Sequence, residues 1–223
     1  MQIEIHQIIR SKRKTLALIV KGDGSLIIRA PMRTPDRAIK EFVAEHASWI
    51  EKKQAQIKSL VVPSPKQYIP GEMFMFLGKS YPLEIVKDQK KLLVLDGGFK
   101  LAESATSHAA IVFEHWYREQ ARKILNQRVD LCASQHGLQH QGIKITSAKT
   151  RWGSCSSKGS LSFSWRLILA PMEQVDYVVI HELVHTLHHN HSKRFWKKLE
   201  HLMPDFKERK RWLRKNGPQL MVG

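Results

Sequence analysis

The chain of 223 residues sets 37 Lys and Arg against 20 Asp and Glu, a formal net charge of +17, and 42% of its residues are hydrophobic. That apolar share builds a core and excludes a disordered chain, while the charge disfavours cationic partners and favours nucleic acid, nucleotides, anionic lipid or acidic proteins. The opening MQIEIHQIIRSKRKTL lacks a signal-like apolar stretch, no run of about 18 apolar residues follows, and Cys132 and Cys155 form no CxxC pair, so a reducing cytoplasmic setting without a membrane span is expected.

Residues 15–20 and 25–29 read as strands joined by a KGDG hairpin turn. Thr34-Pro35-Asp36 reads as an N-cap with Pro in the first turn, opening one helix to Ile57 on the spacing of Ile39, Phe42, Val43, His46, Trp49 and Ile50. The prolines of VVPSPKQYIP mark a connection, and short strands at 73–77, 81–86 and 91–95 read as a small meander. A long helix follows over 109–131, with Ile111, Val112, His115, Trp116, Ala121, Ile124, Leu125 and Val129 as its apolar stripe and His115 packed rather than ligating. Residues 142–146 and 160–163 read as strands flanking the polar loop TRWGSCSSKG, and Pro171 opens the next helix with Val175, Val178, Val179, Leu183 and Leu187 inward. The expected class is α+β: a β-rich N-terminal region with one helix over residues 1–105, then a catalytic region over 106–223.

On the Pro171 helix, His181 and His185 are four residues apart and project from one face one turn apart, as two ligands to one ion must. Glu182 lies about 100° round from His181, placed to hold a water without ligating, and this HExxH pattern points to zinc hydrolysis with Glu182 as general base. A third protein ligand is needed. His191 is the leading candidate, but six residues beyond His185 a continuous helix would carry it about 600° round, off the ligand face, so the helix must stop. Asn190 suits a left-handed cap and Ser192 an N-cap for a new helix, on which Phe195 and Trp196 brace the site and Leu199 and Leu202 face inward. His188, or a downstream carboxylate such as Glu200, Asp205 or Glu208, competes with His191, whereas His189 and His201 read as surface groups. Cys155 reads as a packed small residue rather than a reactive thiol.

The segments HELVHTLHHNHSKRFW and TRWGSCSSKGSLSFSWRLILAP, with the DYVVIHE run between them, resemble the YgjP-like metallopeptidases, predicted cytoplasmic metal-dependent hydrolases related to the SprT and WLM zinc peptidases. Weaker likeness reaches the opening hairpin and YIPGEMFMFLGKSYPL. The resemblance implies a zincin-like core, its HExxH helix beside a small antiparallel sheet, with His181, His185 and His191 as ligands to one zinc ion and Glu182 catalytic. It also implies that Arg151, Trp152 and Ser154 lie close to the metal helix. Arg151 is then a candidate to stabilise an oxyanion or grip an anionic substrate group, a structural Arg on backbone carbonyls being the competing reading. The stretch 160–163 is the candidate edge strand for an extended peptide substrate. Where the family usually has Leu-Asn-Trp-Arg this chain has Phe163-Ser164-Trp165-Arg166, and metzincins, which share the ligand spacing, place Gly where His188 stands.

Three functions follow. The first is a zinc peptidase acting on peptide or protein. The second is a metal-dependent phosphohydrolase of nucleoside triphosphates, weakened by the lack of a Walker A loop and of a magnesium carboxylate cluster. The third is a nucleic-acid-associated protein using the basic C-terminal helix, since residues 193–215 hold ten Lys or Arg and three Asp or Glu.

Overall fold

The computed structural model describes residues 3–59 and 65–221, so residues 61–64 of the VVPSPKQYIP connection lie outside the described part. The chain divides into two compact units, Met1–Val62 and Pro63–Gly223, each with its own buried cluster.

In the first unit, β2 (Ala17–Val20) and β3 (Leu26–Pro31) form the expected antiparallel hairpin. Its turn is set by Asp23, whose Oδ1 accepts from the Ser25 amide at 2.9 Å and hydroxyl at 2.7 Å, and by Gly24 at φ 84°. A strand that the pattern did not announce, β1 (Gln7–Ser11), pairs parallel on the other side of β3, and its residues are exposed or half-buried. The single expected helix is two, α1 (Asp36–Glu45) and α2 (Ala47–Ser59), broken at His46, whose backbone leaves the helical region at φ −105° and ψ 13°. Pro35 rather than Thr34 occupies the N-cap, and the Thr34 carbonyl accepts from the Arg10 guanidinium at 2.6 Å. Leu26, Ile28 and Ala30 from β3 meet Ile39 and Val43 from α1 and Ile50 from α2 in the core.

The second unit opens with β4 (Met73–Phe76), β5 (Lys79–Val86), β6 (Leu93–Asp96) and β7 (Gly98–Ala102). Their order is β4-β5-β7-β6 with β5 and β7 parallel, so the sheet is not a meander. The difference comes from β7, which lies beyond the Asp96-Gly97-Gly98 turn and inserts between β5 and β6. Phe74, Leu83, Leu93, Phe99 and Leu101 then share one core with the long helix α3 (Ala109–His136). That shared core puts the division of the chain near residue 62, whereas the sequence pattern suggested residue 105.

Along α3 the buried line is Ala109, Phe113, Tyr117, Ala121, Leu125, Val129 and Ala133, a strict four-residue step. Ile111, two positions off that line, is 72% exposed and His115 is exposed too, contrary to the expected stripe. The helix ends at Gly137, left-handed at φ 62°. Arg128 on α3 makes a two-pronged ion pair with Asp176, Nε to Oδ1 at 2.6 Å and Nη2 to Oδ2 at 2.8 Å, and so fixes α3 to α4 (Met172–Val184).

The turn between β4 and β5 anchors the start of α4. Leu77 and Gly78 both have positive φ, and their amides donate to the carbonyls of Ile168 and Leu169 in the short 3₁₀ segment before α4. A β-carbon on Gly78 would lie 2.7 Å from Cγ of Pro171, the α4 N-cap, so no larger residue fits.

Behind α4 lies a three-stranded sheet of β8 (Ile143–Thr146), β9 (Gly153–Cys155) and β10 (Leu161–Ser164), in the order β8-β10-β9. It is mixed rather than antiparallel, because β10 runs parallel to β8 and antiparallel to β9. β10 is central and cannot be the open edge expected of residues 160–163; β9, formed inside the segment expected to be loop, is the edge strand that contacts α4. After α4 come α5 (Lys193–Leu202) and α6 (Phe206–Met221), which splits the basic tail into two helices. Among the described residues no helix is long and apolar enough to cross a membrane.

Candidate metal centre

The last helical turn of α4 carries His181 and Glu182, and His185 caps it. Residues 185–192 then form a turn in which the Thr186 and Leu187 amides donate to Leu183 and Val184 carbonyls and the His188 amide donates to the Val184 carbonyl. The expected left-handed Asn190 is not used: Asn190 is not among the described residues with positive φ, and the helix stops instead through these tightened carbonyl bonds. Ser192 is the N-cap of α5, as expected, its hydroxyl accepting from the Phe195 amide at 3.4 Å.

This turn brings His191 back. Its Nε2 lies 3.0 Å from Nε2 of His181 and 3.2 Å from Nε2 of His185, and the three ligand atoms form one cluster. Two nitrogens bound at about 2.0–2.1 Å to one tetrahedral ion sit about 3.3–3.4 Å apart, so His191 stands at nearly the required spacing from each of the other two, and all three ligand atoms lie within 4.8 Å of one another. One ring orientation is fixed by the turn itself: Nδ1 of His185 donates to the His188 carbonyl at 2.9 Å, which leaves Nε2 as the lone-pair atom. His188 therefore serves the site through its backbone, and its side chain is outside the cluster. Glu200, Asp205 and Glu208 are likewise outside it.

The imidazoles are packed as well as aimed. The fully buried Phe195 ring has its centroid 4.9 Å from His181, 4.4 Å from His185 and 4.8 Å from His191, and Trp196 stacks on His191 at 5.3 Å. Burial, then the neighbouring imidazoles and Lys210, push the pKa of His181 down to about 3, so it is neutral with a lone pair to offer. Burial, His185 and Lys210 also lower His191. Every donor in the set is an imidazole nitrogen, a chemistry that suits a divalent transition ion.

Glu182 is 6% exposed and lies against β9. Burial raises its carboxyl to about 7, and Arg151 opposes that rise. A β-carbon on Gly153 would lie 2.7 Å from both Cγ and Oε1 of Glu182, so the strand passes over the carboxylate as closely as a backbone can. Arg151 itself is exposed and, among the described residues, makes no hydrogen bond to a backbone carbonyl, which disfavours the structural reading of it. Trp152 packs against Gly217 of α6, and Ser154 lies in β9. The Ser164 hydroxyl, where relatives were expected to carry Asn, donates to the Ala148 carbonyl at 2.8 Å and holds the loop leading to Arg151. Burial and Glu182 raise the Cys155 thiol, which keeps it protonated and unreactive.

Comparison with known proteins decides the lineage. The model of the YgjP-like family, described as a metallopeptidase domain, matches residues 14–216. The chain belongs to the YgjP-like family. It is accordingly a metal-dependent hydrolase of the metallopeptidase kind, and the match covers both compact units. No curated protein matches this YgjP-like chain. Among solved structures, the metallopeptidase zymogen of Pyrococcus abyssi abylysin aligns over 41% of this chain and 93% of its own, at 24% identity and a TM-score of 0.37, a likeness too slight to establish a common fold.

Sequence reasoning missed Gly153, Tyr177, Lys210 and Arg214 as neighbours of the YgjP-like centre. Tyr177 stands four residues before His181 and so shares its face; its ring is 5.8 Å from that of His181, and burial with Glu182 nearby pushes its hydroxyl up to about 12. Gly153 lay in a segment read as loop, where a glycine is unremarkable, and Lys210 and Arg214 were hidden in a run of similar charges.

Proposed function

We propose that this YgjP-like chain is a zinc-dependent peptidase with a zincin-like core, in which His181, His185 and His191 hold the ion and Glu182 activates the attacking water. The convergence of three imidazole Nε2 atoms, one of them fixed by the His188 carbonyl, carries this reading. Three imidazoles leave one position of a tetrahedral ion for water or substrate, the arrangement of a catalytic rather than a structural site. Bound there, zinc supplies Lewis acidity that lowers the pKa of water and polarises a carbonyl.

The chain's own groups supply the rest. Glu182, one residue from the first ligand and buried under β9, takes the proton from the water and returns it to the leaving amine. Its burial keeps the proton affinity close to that of the groups it serves. Arg151, whose charge reaches Glu182, is placed to stabilise negative charge on the tetrahedral intermediate. The edge strand β9 offers backbone groups to an extended peptide, which fits a peptidase better than a phosphohydrolase.

The test is Glu182→Gln. The variant should retain one zinc per chain and lose hydrolysis of an unfolded protein substrate by about a thousandfold or more. Retained hydrolysis would remove Glu182 from the mechanism, and a wild-type protein that takes up no zinc would remove the metal assignment.

A further inference from the structure

A cavity of about 290 Å³ opens directly beside the proposed catalytic pair, with His181 and Glu182 on its wall. At about 30 Å³ per liquid water this is room for roughly ten waters, enough for one amino-acid side chain. Trp152, Tyr177 and Leu213 form its apolar sides, and Lys210 and Arg214 bring two cations to it.

The cations are there by the construction of α6. Lys210, Leu213, Arg214 and Gly217 recur at three- and four-residue intervals and so share one face of the helix. Gly217 fixes that face against Trp152, the residue before β9: a β-carbon there would lie 3.0 Å from Cζ2 of its ring. Leu213, buried at 6% exposure, keeps the next turn inward. The Lys210 ammonium rests 4.2 Å from the Trp196 ring centroid, the same ring that stacks on His191, so this charge is held close to the ligand cluster. Two other basic residues of α6 are neutralised: Arg209 pairs with Asp205 at 2.7 Å and Lys207 with Glu200 at 2.8 Å. Neither Lys210 nor Arg214 pairs with a carboxylate among the described residues.

We infer that this cavity is a specificity pocket for a carboxylate borne by the substrate residue next to the scissile bond, either an Asp or Glu side chain or the free C-terminus of the peptide. The inference rests on the peptidase reading. Apolar walls lower the local dielectric and strengthen the pull of the two cations on an anion. The carbon chain of the guest packs on Trp152 and Leu213 while its carboxylate reaches Lys210 and Arg214. A basic residue there would meet two like charges, so the pocket selects by rejection as well as by attraction.

The experiment uses zinc-loaded full chain and four matched quenched peptides: one with an internal Glu and an amidated end, one apolar with a free C-terminus, one apolar and amidated, and one with Lys in place of Glu. The Glu peptide, the free-terminus peptide or both should exceed the apolar amidated one in kcat/KM by about tenfold or more, on the scale of a charge-assisted contact, and the Lys peptide should be poorest. Which of the first two wins identifies the source of the carboxylate. Lys210→Glu with Arg214→Glu should invert the ranking of the Glu and Lys peptides. As a readout independent of turnover, fluorescence anisotropy with the Glu182→Gln chain should show the same ranking in affinity and the same inversion. Equal hydrolysis of all four peptides overturns the pocket assignment and leaves the peptidase reading standing. Hydrolysis of none of them, nor of unfolded protein, overturns the peptidase reading, while the anisotropy ranking still decides the pocket.

Discussion

Replacing Gly153 by Ala adds one carbon at the position where β9 crosses the buried carboxylate. That carbon would lie 2.7 Å from Cγ and Oε1 of Glu182, and ordinary contact begins at 3.4 Å, so Glu182 must retreat by about 0.7 Å or the strand must lift. The strand is tied down by its pairing with β10, in which Gly153 faces Phe163 and Ser162 faces Ser154, so the side chain gives way first. Misplacement of a catalytic group by about 1 Å costs on the order of a hundredfold in rate, and the smaller shift here predicts a loss of roughly 20- to 100-fold in kcat. Zinc content should stay at the wild-type value, because the atoms nearest the added carbon all belong to Glu182 and none to the three imidazoles. Global stability should change little, since Ala recovers about 0.5–1 kcal/mol of strand propensity over Gly. Peptide hydrolysis, atomic absorption and thermal melting on the same preparation separate these effects. Wild-type kcat in Gly153→Ala would show that the carboxylate is not held where it acts, and the close approach of β9 would lose its meaning.

His191→Ala should drop zinc stoichiometry well below one per chain and, with equilibrium dialysis as the measure, weaken affinity by at least about a hundredfold; full stoichiometry would mean that another group completes the site. His188→Ala should leave affinity near wild type, because its contribution is a backbone carbonyl. Arg128→Met should destabilise by roughly 1–2 kcal/mol in urea titration, since the two-pronged pair with Asp176 is only partly shielded at 26% and 19% exposure. Gly78→Ala should cost more than 1 kcal/mol by the same measurement, from a left-handed backbone and contact with Pro171 together; an unchanged midpoint would mean that the β4–β5 turn does not anchor α4.

The clustering of His181, His185 and His191 was legible in the sequence because their geometry is helical arithmetic. Spacings of four and six residues, with Ser192 restarting a helix, are enough to require a turn between His185 and His191. How the turn closes was not legible, since Asn190 has the propensity for a left-handed cap but the carbonyls of Leu183 and Val184 do the work. The sheets were legible only as local hairpins. β1 carries no buried alternation and β7 follows a glycine pair, so their parallel pairings with β3 and β5 depend on contacts distant in sequence. The same limit put the substrate edge on residues 160–163: composition shows that a strand exists, while its place between β8 and β9 is a property of the assembled sheet. The charge of the C-terminal segment was obvious, yet only the packing of Gly217 on Trp152 shows which two of its cations turn toward the site.

The His188 carbonyl and the three imidazoles all lie within residues 181–191, whereas Glu182 depends on a strand near residue 153 and the cavity on a helix near residue 214. The candidate ion-holding part of the site is thus local in the chain, whereas the proposed base and pocket are assembled from afar. On the proposed function, a partly folded chain would be able to take up the ion before β9 and α6 have docked, and would hold it without the means to cleave anything. On that reading metal content and peptidase activity are separate observables, and the second alone reports that the molecule has been completed.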